Sequence, residues 1–275
     1  MAAPLVRVIR PSRGLQGVDF REIWDHRLLL YMLIKRDIFG KYRQSLLGFT
    51  WAFLPALAQM LVFTVIFGKV ANLGPAGVPY YIFSFVALLP WNYFTRSVQT
   101  SSNSLLAGQS LLTKVYFPRL VLPMAGTLGS LIDLAIGLVV LALLMLFAGI
   151  APTWKLLLLP VFIVIAMLTA LGVSLWLTAL SVRYRDVSFA LPFMMSLWMF
   201  LTPVVFAVEK IPPAYQFLLW LNPMTGVIEG FRWSLLGLAP PAWSLMGLSL
   251  AIVAVVLVSG GIYFRTMERT FADVI

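Results

Sequence analysis

Residues 35–44, KRDIFGKYRQ, precede the apolar stretch 48–68, GFTWAFLPALAQMLVFTVIFG. This junction determines how the chain enters the membrane. The first stretch carries four basic side chains and two aromatic rings. A helix formed by the second would be about 31 Å long, which matches the hydrocarbon core of a bilayer. Basic residues beside an apolar span collect on the cytoplasmic side. The junction therefore predicts a membrane-crossing helix that begins in the cytoplasm.

The composition places the whole chain in a membrane. Of its 275 residues, 61% are hydrophobic and 11% are charged, whereas soluble domains have about 45–50% apolar and about 25% charged residues. The net charge of +10 does not indicate nucleic-acid binding, because the basic residues are spread between the apolar stretches and form no recognition motif. The absence of cysteine excludes a disulfide scaffold, cysteine-ligated zinc and iron–sulfur clusters.

Six apolar stretches are predicted to cross the membrane as helices. They are residues 48–68, 80–99, 120–150, 155–182, 189–208 and 245–263. The predicted fold class is therefore an all-α integral membrane protein, with residues 1–275 forming a single transmembrane domain. With six spans, fifteen of the twenty Lys and Arg residues fall on the side of the N terminus and four on the other side. This asymmetry predicts that both termini are cytoplasmic.

Three further segments are predicted not to cross. Residues 1–18 lack the features of a signal peptide and are expected to be a cytoplasmic tail. Residues 19–38 are predicted to form an amphipathic helix in the membrane interface; the alternative is a cytoplasmic helix that packs on a partner protein. Residues 212–239 contain two short apolar pieces and are predicted to be re-entrant half-helices, because broken backbone at membrane depth must be covered by protein or water.

The sequence contains no pattern typical of an enzyme. There is one histidine, no HExxH motif and no metal-ligand cluster, so we predict no catalytic residue and no metal site. A membrane transferase that acts through paired carboxylates has no candidate pair. Gly40 and Lys41 resemble the end of a phosphate loop, but Tyr42 replaces the required Ser or Thr. If ATP drives this protein, another subunit must hydrolyse it.

Two charged residues fall within predicted spans. Asp133 lies in the third and Arg96 in the second, at a similar predicted depth. An ionisable side chain inside a membrane is costly and is expected to be paired or functional. We expect a structural Arg96–Asp133 ion pair; a proton-coupling role for Asp133 is the alternative.

Aromatic side chains are frequent in the first and fifth predicted spans. Aromatic rings stack on the apolar faces of sugars, but they also fill bundles and anchor helices at interfaces. Both interpretations stay open for each ring. The candidates for lining a path are Trp51, Phe53, Phe63, Phe67, Phe193, Trp198, Phe200 and Phe206.

Several short motifs follow one another along the chain. They are RDIFGKYRQ at 36–44, LPW at 89–91, LTKVYFPR at 112–119, VRYRDV at 182–187, LTPVV at 201–205, LNPM at 221–224 and MERTFADVI at 267–275. None is strongly specific alone. As an ordered set, they resemble the permease subunit of type-2 ABC exporters for cell-surface polysaccharides, which export O-antigen, capsule or teichoic acid. The resemblance covers nearly the whole chain from residue 19 onward.

This resemblance implies a homodimer in the bacterial cytoplasmic (inner) membrane, with two separate ABC ATPase subunits that use ATP and magnesium. It implies no cofactor in this chain. The substrate would be a polysaccharide on an undecaprenyl diphosphate lipid, passing between the two copies along the first and fifth spans. A drug or lipid exporter of the same architecture is the alternative.

The resemblance also implies residue roles. A segment that couples to the ATPase maps to about residues 111–119, with the candidates Leu111, Lys114, Tyr116, Phe117 and Arg119. The cations Arg36, Lys41 and Arg43 are candidates for contacting the lipid diphosphate, because Arg binds phosphate through its fork and Lys as a point charge. The alternative is that these cations only set the topology and bind anionic headgroups.

Overall fold

The computed structural model describes residues 20–42, 48–71, 73–75, 77–112, 114, 116–268 and 271. Within these ranges every regular element is helical, as the predicted all-α class requires. The α-helices are α1 (Phe20–Asp25), α2 (Arg27–Tyr42), α3 (Leu54–Phe63), α4 (Tyr80–Ser102), α5 (Ser104–Ala107), α6 (Gln109–Leu112), α7 (Val121–Gly129), α8 (Leu131–Phe147), α9 (Leu159–Arg183), α10 (Asp186–Phe200), α11 (Pro213–Trp220), α12 (Pro223–Leu236) and α13 (Trp243–Glu268).

Three helical stretches among the described residues are long and apolar enough to cross a membrane. They are Val121–Phe147, Trp154–Arg183 and Trp243–Glu268, with 27, 30 and 26 residues. They correspond to the predicted spans 120–150, 155–182 and 245–263. Leu54–Val70 and Asp186–Phe200 are shorter apolar helices, so the count of six spans stays a prediction.

Helix α4 lies at the centre of the bundle. Most of its 23 residues are buried, and it contacts α3, α7, α8, α9, α10 and α12. A helix that is buried nearly all round needs other helices on every side. The side chains of α4 therefore form the middle of the main hydrophobic core, to which α9 and α12 also contribute.

Helices α9 and α13 approach each other closely because glycines lie at their contact. A Cβ on Gly260 would lie 2.5 Å from the carbonyl oxygen of Gly172, and a Cβ on Gly172 would lie 2.9 Å from the backbone of Leu257. Gly247, also on α13, has nothing within 4 Å of the position that a Cβ would take. Small residues let helices in membrane proteins associate through close backbone contact.

The predicted span 48–68 is not one continuous α-helix. Gly48–Ala52 form a 3-10 turn, α3 follows, and Thr64–Val70 form a π-helical segment. Pro55 lies in the first turn of α3, where the N–H that it lacks would have had no intrahelical partner. Pro55 therefore begins α3 and does not kink a longer helix.

Helix α10 is shorter than the predicted span 189–208. It begins at Asp186 and ends at Phe200, and turns follow it. Pro203 has no N–H to continue the helix and disfavours the α conformation of the residue before it. The hydroxyl of Thr202 donates to the carbonyl of Trp198 (2.8 Å), in the last turn.

The predicted interfacial helix 19–38 is two helices, α1 and α2, on either side of His26. Ile23 and Leu33 are buried in a second hydrophobic cluster, in which α2 packs on α7. Several apolar side chains on these helices stay exposed: Trp24, Leu28, Tyr31, Met32 and Phe39. An exposed apolar face suits a helix in the membrane interface, and that position stays a prediction. The predicted tail, 1–18, lies outside the described residues.

The segment 212–239 contains two short helices, as predicted, α11 and α12. Asn222 separates them, and its side-chain oxygen accepts a hydrogen bond from the backbone N–H of Met224 (3.1 Å). This is an N-cap, and Pro223 takes the favoured first position of α12. The Asn222 amide also donates to the hydroxyl of Thr202 (2.7 Å), which ties the break to the end of α10. Whether these helices re-enter the membrane stays a prediction.

Candidate functional site

A polar cleft lies between helices α2, α3, α4 and α8. It consists of two cavities of about 200 Å³ each, and both are lined by Arg96 and Asp133. The α2 cavity is also lined by the polar side chains of Asp37, Lys41, Thr100 and Ser130. The α3 cavity is also lined by those of Gln59, Asn92, Thr95 and Gln99. Since the main core is built from apolar side chains, this concentration of polar groups marks a candidate binding site.

Helical spacing brings the side chains of the cleft together. On α4, Asn92, Arg96 and Gln99 are four and three residues apart and lie on one face of the helix. On α2, Asp37 and Lys41 are four residues apart. The cleft is therefore where the polar face of the central helix meets the C-terminal half of α2.

Among the described residues, Lys41 and Arg96 donate hydrogen bonds to Asp133 at the centre of the cleft. Its Oδ2 atom is bonded to Nζ of Lys41 and lies 2.6 Å from Nη1 of Arg96. The Asp133 side chain is 9% exposed, whereas those of Lys41 and Arg96 are 38% and 30% exposed. The structure thus brings together Arg96 and Asp133, which the sequence pairs, and adds Lys41, which the sequence assigns to a separate site.

The position of Lys41 changes its acid–base behaviour. Desolvation lowers the pKa of its ammonium below the ordinary value, the hydrogen bond to Asp133 opposes that effect, and the nearby charge of Arg96 adds to it. Two cations that share one carboxylate repel each other. An anion that entered the cleft would relieve this repulsion.

Of the other two diphosphate candidates, one can be placed. Arg36 is exposed and pairs with the neighbouring Asp37 at 2.9 Å, and it does not line the α2 cavity, whereas Lys41 does. Arg43 lies outside the described residues.

The eight aromatic candidates have different surroundings. Phe63 is buried, Trp51, Phe193 and Phe200 are exposed, and Phe53, Phe67, Trp198 and Phe206 are partly buried. Trp198 packs edge-on against Phe94 of α4, with ring centroids 5.3 Å apart. The Gln59 amide on α3 contacts the sulfur of Met199 on α10 at 3.3 Å. The exposed rings Phe193 and Phe200 lie on α10 and Trp51 precedes α3, while Trp198 fills the bundle.

The predicted coupling segment, 111–119, has an exposed side and an anchored side. Lys114 and Tyr116 are exposed, Leu111 is partly buried, and Phe117 is buried in the second hydrophobic cluster. The Arg119 guanidinium donates to the backbone carbonyl of Glu268. It also lies 5.8 Å from the ring of Phe271. The segment is thereby attached to the C-terminal end of α13.

A buried arginine forms a second polar cluster that sequence analysis missed. Arg232, on α12, is 1% exposed and pairs with Glu229 at 2.8 Å. It donates to the carbonyls of Val204 (3.0 Å) and Phe206 (3.3 Å), and its guanidinium lies 3.7 Å from the ring centroid of Phe83. These carbonyls follow the end of α10, where Pro203 has interrupted the helical hydrogen bonds. Arg232 therefore satisfies backbone that would otherwise be unpaired in an apolar interior.

Sequence analysis also missed the amides of the cleft, Gln59, Asn92 and Gln99. A signal for two of them was present, because Asn92 and Gln99 share a helical face with Arg96 inside an otherwise apolar stretch. No spacing within one helix could have placed Gln59 or Lys41 beside them. Among the described residues, no group of three or more His, Cys, Asp or Glu side chains is arranged to hold a metal ion.

Comparison with known proteins identifies the family. Residues 29–236 match the family model described as ABC-2 type transporter. The chain is 33% identical over 256 residues to the O-antigen export system permease protein RfbA of Myxococcus xanthus, covering 92% of this chain and 97% of that protein. It is 24% identical over 209 residues to RfbA of Klebsiella pneumoniae, covering 74% and 78%. It is 26% identical over 259 residues to the polysialic acid transport protein KpsM of Escherichia coli, covering 87% and 92%.

These matches confirm the resemblance that the ordered motifs indicate. They run through the helices that form the polar cleft, from α2 to α8, and through α9, α10 and α12. The chain belongs to the ABC-2 type transporter family, and it is a multi-pass membrane permease, the transport component of an ABC transporter.

Proposed function

We propose that this chain is the channel-forming permease of an ATP-driven exporter that moves lipid-linked polysaccharide of the O-antigen type across the bacterial cytoplasmic membrane. The similarity to RfbA of Myxococcus xanthus carries the proposal, because it extends over 92% of this chain at 33% identity. The relatives named for O-antigen and for polysialic acid export act on different polymers. Their shared substrate class, a cell-surface polysaccharide, is what we transfer to this chain.

The proposed topology has six spans with both termini in the cytoplasm. Three spans are the long apolar stretches that contain α8, α9 and α13. The other three are α4 and the shorter apolar segments Leu54–Val70 and Asp186–Phe200. Short membrane helices are accommodated by local thinning of the bilayer or by oligomerisation, and the distribution of Lys and Arg supports the orientation.

The polymer passes between two copies of the chain in this proposal. Support comes from the exposed aromatic rings Trp51, Phe193 and Phe200, of which the first precedes α3 and the other two lie on α10. Exposed rings are suited to stacking on sugar faces and to packing against a second copy. Phe63 and Trp198 pack inside the bundle, so we assign them a structural role.

ATP and magnesium bind to two partner ATPase subunits in this proposal. The segment 111–119 contacts them through its exposed side chains, Lys114 and Tyr116. Phe117 then passes the movement to the N-terminal helices and α13, with which it shares the second hydrophobic cluster, and Arg119 passes it to α13 through its bond to the carbonyl of Glu268. The polymer is carried on undecaprenyl diphosphate, for which Arg36, Lys41 and Arg43 supply positive charge at the cytoplasmic interface.

Deletion of the gene tests this function. We expect cell-surface polysaccharide to be lost and the same polymer, still linked to its lipid, to accumulate inside the cell. Complementation with the wild-type chain should restore export. It should not do so in a strain whose partner ATPase is inactive. Normal surface polysaccharide in the deletion strain would contradict the proposal, and so would a defect confined to drug efflux.

A further inference from the structure

Among the described residues, the polar cleft contains hydrogen-bond donors that have no protein acceptor. Arg96 has five guanidinium N–H groups, and within the described part of the chain its side chain is bonded to Asp133 alone. The hydroxyl of Thr95 is buried in the lining of the α3 cavity and has no hydrogen-bond partner among the described residues. Buried polar groups in proteins nearly always have partners. A ligand oxygen in the α3 cavity would give the buried Thr95 hydroxyl a partner, and it would find further donors on the partly exposed Arg96.

The charges around the cleft also favour an anion. Lys41 and Arg96 face Asp133 across the cavities, and Asp37 in the α2 cavity is paired with Arg36. Within the described part of the chain, the cations Arg36, Lys41 and Arg96 thus lie beside the carboxylates of Asp37 and Asp133. Asp133 occupies the position between Lys41 and Arg96 that a phosphate oxygen would take, since both cations donate to the same oxygen atom.

The position of the cleft limits what can reach it. It lies beside the C-terminal half of α2, which carries Asp37 and Lys41. Each cavity of about 200 Å³ is far smaller than a polymer and suits a group of a few heavy atoms. Asn92 and Gln99 provide amide N–H groups on the inner side.

We propose that this cleft is a binding site, within each copy of the chain, for the diphosphate headgroup of the lipid-linked substrate. Arg96 and Lys41 bind the phosphate oxygens, Thr95 donates a hydroxyl, and Asp133 is the resident counter-ion that the diphosphate displaces. When Lys41 exchanges Asp133 for phosphate, the ion pair between the end of α2 and α8 is released. This inference rests on the proposed function and extends it to residues inside the predicted spans.

Direct binding tests the site. The chain, assembled with its ATPase in nanodiscs of neutral phosphatidylcholine, is titrated with farnesyl diphosphate, a soluble prenyl diphosphate. The Arg96→Gln variant should bind it at least about tenfold more weakly, because a charge-assisted hydrogen bond is lost. Lys210→Gln, which removes an exposed cation outside the cleft, should bind it as the wild type does. Unchanged affinity of a folded Arg96→Gln variant would overturn the proposal.

A second pair of variants separates binding from a purely structural ion cluster. Asp133→Asn should bind farnesyl diphosphate at least as tightly as the wild type, because the competing carboxylate is gone. The double variant Arg96→Gln with Asp133→Asn replaces the ion pair by a neutral hydrogen-bonding pair, so it should fold and should bind weakly. Weaker binding by Asp133→Asn, or wild-type binding by the double variant, would overturn the proposal.

Two further arms identify the source of the anion. If inorganic pyrophosphate competes with farnesyl diphosphate, the cleft recognises the diphosphate group itself. If it does not compete, the cleft requires a diphosphate that is attached to a lipid. Either result supports the site. Farnesol that binds equally well would overturn it. Export in cells tests the two proposals separately. If the wild type and Arg96→Gln export polysaccharide equally, the proposed diphosphate site is wrong but the proposed export function is supported. If the wild type does not export polysaccharide, the proposed export function is contradicted.

Discussion

Arg232 and Arg96 both lie on helices of this permease, and they differ in how many partners the protein supplies to them. Arg232 is 1% exposed and has a carboxylate partner, two carbonyl acceptors and an aromatic ring against its guanidinium. Arg96 is 30% exposed, has Asp133 as its hydrogen-bond partner within the described residues, and faces two cavities. The first arginine closes a break in the backbone. The second belongs to an open site.

In an apolar protein, a buried charge with several protein partners has a structural role, whereas a charge that faces a cavity is available for binding. Removal of a satisfied buried charge leaves its partners unpaired and damages the fold. Removal of a charge that faces a cavity lets water take its place, so it costs little stability and changes binding. Substitution of Arg232 should therefore change the stability of the fold, whereas substitution of Arg96 should change ligand binding.

The largest effect on stability is expected from Arg232→Met. The substitution leaves the carbonyls of Val204 and Phe206 without their donor and Glu229 without its partner. Loss of one member of a buried ion pair costs about 3–5 kcal/mol. Thermal unfolding of the purified permease measures it, and Glu229→Gln, which keeps a hydrogen-bond acceptor, should cost less. A melting temperature within a degree of the wild type would show that Arg232 is not needed to close the end of α10.

The next largest effect is expected from Gly260→Ala, which tests the packed region away from both arginines. The new methyl group would lie 2.5 Å from the carbonyl oxygen of Gly172, and overpacking of this kind costs about 1–3 kcal/mol. Gly247→Ala, on the same helix, has open space around it and should be neutral or slightly stabilising, because alanine favours a helix. Equal effects of the two substitutions on thermal unfolding would contradict the close contact between α9 and α13.

The smallest effect on stability is expected from Asp133→Asn. Asparagine keeps a side-chain oxygen that can accept hydrogen bonds, and water can hydrate the partly exposed Lys41 and Arg96, so the loss should be smaller than for the two substitutions above. Assembly and ATP-driven export should continue with an unchanged dependence on the proton gradient. Thermal unfolding and export at two external pH values check this. Export that continues but loses its dependence on protons would support the proton-coupling alternative instead.

The sequence predicts the features that depend on neighbouring residues along one helix. The all-α class, the long apolar stretches around α8, α9 and α13, and the break at Asn222 follow from local pattern. The ends of α3 and α10 were predicted less well. Pro55 and Pro203 were placed inside helices, whereas in the structure Pro55 begins one and Pro203 follows the end of another.

The site is harder to predict because it depends on how helices pack. The pairing of Arg96 with Asp133 was expected, since two opposite charges in neighbouring apolar stretches need partners. The participation of Lys41 was not, because it comes from α2, 92 residues away along the chain from Asp133. Arg232 is not among the candidate residues that the sequence offers. Its acceptors appear only once α10 is seen to end at Phe200.

The central claim, that this chain moves lipid-linked polysaccharide when its partner hydrolyses ATP, is tested most directly in reconstituted vesicles. The permease and its ATPase are inserted with lipid-linked polysaccharide, and a glycosidase in the medium reports how much polymer stays outside. With ATP added outside, we predict that a growing fraction of the polymer becomes protected, and that none does with an inactive ATPase. Continued ATP hydrolysis by an assembled complex, with all of the polymer still accessible, would contradict the account.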